Sequence, residues 1–125
     1  MVRVLLAVAH LRFRTALEEY LAHGGEVSCE AVPMSEELWA RLWDDEWDIL
    51  ILDLHLPGQT KLETVHTVHE LYPNLPILVL SLSLGVPAWR WQDAGARGIL
   101  SKAKLAAELI EAVRVVSRGG KYFSE

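Results

Sequence analysis

Asp53 is the residue best placed to do chemistry. It closes the apolar run Ile49-Leu50-Ile51-Leu52 and precedes the loop Leu54-His55-Leu56-Pro57-Gly58. That is a carboxylate at the C-terminal end of a buried strand, where ligands bind in an open parallel sheet. Such a residue can be a nucleophile, a metal ligand or both. A metal site for phosphate chemistry draws on further carboxylates, phosphate oxygens and water. The first strand is the place to supply those carboxylates, and there the chain reads Ala7-Val8-Ala9-His10. Histidines offer a second metal reading. His66 and His69 share one helix and His55 follows Asp53, but neither a cysteine nor a second helical pair joins them, so surface histidines are expected. His10 borders the strand end and is expected to serve the scaffold.

Apolar runs of strand length alternate with amphipathic runs of helix length. The pattern predicts strands over Val2–Val8, Glu26–Ala31, Asp48–Asp53, Pro76–Ser81 and Gly98–Ser101. It predicts helices over Leu11–His23, Ser35 to about Glu46, Thr60–Tyr72, Val86–Ala94 and Ala103–Arg118. In the first helix, Leu11, Ala16, Leu17, Tyr20 and Leu21 are expected on the inward side. The third and fourth strands are continuously apolar, as when helices cover both faces of a parallel sheet. Five βα units joined by crossovers imply a three-layer αβα sandwich with a five-stranded parallel sheet, flavodoxin-like in its order 2-1-3-4-5.

The tryptophans divide into two groups. Trp39, Trp43 and Trp47 recur at spacings of four, which reads as packing along a helix face and its exit. Trp89 and Trp91 lie about 200° apart around a helix, so both cannot face inward. They mark a candidate partner face, since exposed aromatics accompany interaction surfaces.

The chain has 125 residues and a net charge of −5, which suits one globular domain and argues against direct nucleic-acid binding. Its single cysteine, Cys29, cannot form an internal disulfide, and a reducing cytoplasm is the expected setting. The apolar start meets His10, Arg12 and Arg14 too soon for a membrane span.

Together these segments resemble the receiver domain of two-component response regulators, nearest the NarL/LuxR-type subfamily. The carriers are Val4-Leu5-Leu6-Ala7 with His10, Asp48 to Gly58, Pro76 to Ser81, and Ala94-Gly95-Ala96-Arg97-Gly98-Ile99-Leu100-Ser101-Lys102. The resemblance implies a CheY-like fold over residues 1–118. From Gly119-Gly120-Lys121-Tyr122-Phe123-Ser124 it implies the start of a linker, over 119–125, towards a C-terminal helix-turn-helix domain. It further implies that Asp53 is the acceptor of a phosphoryl group from a histidine kinase, and that Ser81 and Lys102 contact that group. As chemistry the set is coherent: a nucleophile, a hydroxyl donor and a cation.

Two departures bear on activity. The family's acidic pair falls at Val8 and Ala9, neither of which binds a metal through its side chain, so Asp53 alone remains for Mg²⁺. The family's aromatic switch position is Ile99, whose side chain cannot make the same swing. Three readings follow. The first is a non-enzymatic, atypical receiver with impaired Mg²⁺-dependent phosphorylation and no resident cofactor, acting by dimerisation or by docking a protein, within a transcription regulator. The second is a working phosphoacceptor that uses Mg²⁺ and Asp53. The third is a flavodoxin-like binder of small molecules, disfavoured because no Ser/Thr-Gly phosphate loop follows the first strand. In the first two readings DNA is reached only through a further domain, and no membrane is involved. A buried Asp53 relieved of acidic neighbours is expected to pair with Lys102.

Overall fold

The computed structural model describes residues 2–8, 10–23, 27–32, 35–53, 61–81 and 87–124. Strands and helices alternate as β1 (Val2–Ala7), α1 (Leu11–His23), β2 (Val27–Val32), α2 (Ser35–Asp44), β3 (Ile49–Asp53) and α3 (Lys61–Leu71). They continue as β4 (Ile77–Ser81), α4 (Ala88–Ala94), β5 (Gly98–Ser101), α5 (Leu105–Ser117) and β6 (Tyr122–Ser124). A single 3-10 turn, Lys102–Lys104, joins β5 to α5.

All paired strands are parallel, in the order β2-β1-β3-β4-β5-β6. Alternate residues of each strand feed opposite faces, and both faces are covered, which is why the central strands read as unbroken apolar runs. Leu5, Ala7, Leu50, Leu52, Ile77, Val79 and Ile99 pack with Leu38 and Leu42 of α2, Val65 and Val68 of α3, and Trp91 of α4. Val4, Leu6, Val8, Ile49, Ile51, Leu78, Leu80 and Leu100 pack with Leu17 and Leu21 of α1 and Leu109, Val113 and Val116 of α5. The result is the flavodoxin-like three-layer sandwich.

The sheet has six strands rather than the expected five. Gly119 turns the chain at φ +89°. Tyr122, Phe123 and Ser124 then pair with Gly98, Ile99 and Leu100, in the stretch where a linker is expected to begin. Pairing satisfies β5 groups that an edge strand would leave open. Side chains hold the added strand in place. Phe123 packs on the core shared with α4, and the Tyr122 hydroxyl donates to Glu108 Oε1 at 2.5 Å.

Helix faces depart from expectation in two places. In α1 only Leu17 and Leu21 are buried. Leu11 is 62 % exposed, because it stands about 120° around the helix from Leu17. In α2, Trp43 is 82 % exposed rather than packed, while Trp39 and Trp47 lie against the core. The α4 pair separates cleanly. Trp91 is 2 % exposed and Trp89 is 65 % exposed. The structure thus removes Trp91 from the candidate partner face, since its indole is buried in the core on the α2–α4 side of the sheet. Burying it also anchors α4, whose seven residues are too few to hold a helix on their own.

Candidate functional site

The site grows from the ends of β1, β3, β4 and β5. Ala7 of β1 pairs with Leu52 of β3, so one step further the register sets Val8 beside Asp53. Alternation turns Asp53 to the face of Ile49 and Ile51, under α1 and α5. Val8 lies on that same face, fully buried among hydrocarbon side chains. Ala9 and His55 fall outside the described residues.

Asp53 is buried, and its partner comes from the turn that follows β5, the second strand along the sheet from β3. Lys102 leaves β5 in the 3-10 turn and brings Nζ to 2.8 Å from Asp53 Oδ1, with its side chain 12 % exposed. The expected pair is therefore present. Two local features aim the lysine. Ser101 Oγ accepts from the Ala103 backbone N–H at 3.3 Å and caps the turn. On the other side, the ring of Phe13 from α1 lies 4.7 Å from the same ammonium. The lysine thus spans an aromatic face and a carboxylate, each of which stabilises its charge. Sequence reasoning passed over Phe13. The signal available was an aromatic in the first turn of the helix that follows the first strand.

Ser81 ends β4 and is 4 % exposed. It sits opposite Ser101 in the register, and Val79 sits opposite Ile99. Alternation puts Ser81 on the α2–α4 face, the face of Ile99, whereas Asp53 points to the α1–α5 face. Ile99 is 1 % exposed and packs in the core that contains Trp91. Ser81 and Ile99 are thus neighbours across two strands.

The described residues gather no group of three or more His, Cys, Asp or Glu side chains able to hold a metal ion. His66 instead pairs with Glu70 across one helical turn, at 2.8 Å, on the surface of α3. His10 is exposed. No described helix is long and apolar enough to cross a membrane.

Residues 4–114 match the response regulator receiver domain family. The chain belongs to that family. This receiver is 32 % identical to the transcriptional activator protein ExaE of Pseudomonas putida, over 98 % of its own length and 58 % of that protein. It is 28 % identical to the response regulator GacA of Pseudomonas viridiflava, over 99 % of its own length and 59 % of that protein. The receiver therefore spans rather more than half of each of these relatives. Its fold matches the isolated REC domain of RcsB from Salmonella enterica serovar Typhimurium in the apo form. The TM-score is 0.89 at 22 % identity, covering 100 % of this receiver and 94 % of that domain. A LuxR-family response regulator from Aurantimonas gives 0.89 at 22 % identity over 98 % and 89 % of the two chains. At such identities these likenesses speak for the fold alone.

Proposed function

We propose that this receiver is an atypical signalling module. In this reading Mg²⁺-dependent phosphorylation at Asp53 is impaired, the domain is not an enzyme, and it works by docking a protein partner or a second copy of itself. The observation that carries the reading is Lys102 seated on Asp53 while Val8, on the same face, is buried hydrocarbon. A Mg²⁺ ion demands near-octahedral oxygen ligands. Among the described strand-end side chains, Asp53 alone supplies a carboxylate, and Lys102 is already paired with it. This donor set does not fit a receiver-type metal site. Ile99 weakens the next step as well, because an aliphatic side chain buried in the core that holds Trp91 has no ring to swing between core and surface.

A second reading, a working phosphoacceptor served by a histidine kinase, draws support from the presence of Asp53, Ser81 and Lys102 together. The relatives are named as regulators, one of them a transcriptional activator, and each extends well beyond the stretch matched here. Their names support a module within a transcription regulator, with DNA contacted by a separate domain, and the single cysteine, Cys29, supports a reducing cytoplasm as its setting.

Incubation with acetyl phosphate and Mg²⁺, followed by intact mass measurement, separates the two readings. The expected result is no phosphoryl adduct on the wild-type protein. An adduct that Asp53→Asn removes would overturn the proposal in favour of the phosphoacceptor.

A further inference from the structure

At the opposite end of the sheet from Asp53, a groove of about 640 Å³ runs between the C-terminal ends of α2 and α3. Trp43, 82 % exposed, and Leu71, 61 % exposed, belong to its lining, together with Tyr72 and Leu75. The acidic side chains Asp45, Glu46 and Asp48 line it as well.

The wall of this groove is fastened in place. The Arg3 guanidinium donates to both Asp45 carboxylate oxygens, at 2.8 and 2.9 Å, and to the Glu46 carbonyl at 2.7 Å. It also lies 4.6 Å from the Trp47 ring centroid. The Trp47 indole N–H donates to the Arg41 carbonyl at 3.1 Å, and the Arg3 backbone N–H donates to Asp48 Oδ2 at 2.7 Å. Arg3 is the basic residue among the described lining, and it is already committed to Asp45. The rest of the charge is acidic.

We infer that this groove docks a basic, apolar-faced segment of another protein, whose Lys or Arg side chains meet the acidic rim and whose aliphatic or aromatic side chains cover Trp43 and Leu71. Three arguments favour that occupant. A tryptophan and a leucine standing in water beside a formed groove gain by being covered, and tryptophan is a frequent anchor of binding energy. Residues held by hydrogen bonds and an ion pair lose little freedom when a partner arrives. A second copy of this chain carries a net charge of −5, so an acidic rim would meet an acidic molecule, whereas a cationic segment is steered towards it. The inference does not depend on the state of Asp53.

The test is a selection from a random peptide-display library with this 125-residue chain as bait. Selected peptides should mix Lys or Arg with Leu, Phe or Trp. Binding of a synthesised selected peptide, read by fluorescence anisotropy, should weaken about tenfold or more in Trp43→Ala and in Leu71→Glu. It should weaken several-fold as salt rises from about 50 to about 500 mM, and it should be unchanged in Asp53→Asn. Both groove residues are exposed, so circular dichroism should show folded variants. Peptides without basic residues, no selected peptides, or binding indifferent to Trp43→Ala and Leu71→Glu would each overturn the inference. So would self-association by analytical ultracentrifugation that Trp43→Ala abolishes, because the occupant would then be a second copy.

Discussion

Lys102 Nζ stands 2.8 Å from Asp53 Oδ1, in a contact where the carboxylate side chain is 3 % exposed and the lysine side chain 12 %. Losing one member of so enclosed a pair leaves a charge without its main counter-ion, and that costs more than the intact pair contributes.

Lys102→Met should therefore lower stability by about 2–4 kcal/mol in urea denaturation. Asp53→Asn combined with Lys102→Met should cost clearly less than the sum of the single changes. Additive losses would mean that the two groups do not act as a pair.

Replacing Val8→Asp and Ala9→Asp together should convert the strand end into a Mg²⁺ site. The variant should be less stable without metal, since Val8 is fully buried, and millimolar Mg²⁺ should raise its Tm. The wild-type Tm should not respond. An equal response in both proteins would mean that the wild-type strand end already holds the ion.

Gly95 ends α4 at φ +118°, and a Cβ placed there would stand 2.4 Å from His69 Cγ. Gly95→Ala should cost about 2–4 kcal/mol by thermal or urea unfolding, from backbone strain and the clash together. His69→Ala in the same chain should recover only part of this, because it removes the ring contacts but keeps the His69 Cβ, 2.6 Å from the added methyl, and leaves the dihedral. Full recovery would show that the backbone contributes nothing.

The Tyr122 hydroxyl is pushed up from 10.0 to about 12, chiefly by its hydrogen bond to Glu108, with burial adding to the shift. The protonated form is favoured in the folded protein. This contribution to stability is therefore complete below the unfolded value near 10 and is lost as pH rises through about 12. An absorbance titration should show one of the three tyrosines ionising near 12, and Glu108→Gln should bring that step down. A titration unchanged by Glu108→Gln would detach Tyr122 from α5.

Much of the fold was legible because its pattern is local. Continuous apolar runs such as Ile49 to Leu52 announce strands covered on both sides, and the described element ends fall within two residues of the expected positions. The added strand was not legible. Tyr122-Phe123-Ser124 is too short to show a period, and it becomes a strand only because the edge of β5 lies beside it. Trp43 and Trp91 show the same limit in opposite directions. Helical spacing groups the aromatics, but which of them meets the sheet depends on how each helix is rolled against it.

The chain of residues alone determined the family, the three-layer order and the identity of the strand-end groups, because period, turn residues and residue type act over short distances. Tertiary structure decided that Lys102 reaches Asp53, that Phe13 backs the lysine, and that Trp43 stands over a groove while Trp91 is sealed inside. Each of those outcomes joins segments far apart in the chain, and it is packing that sets the distance and direction between them.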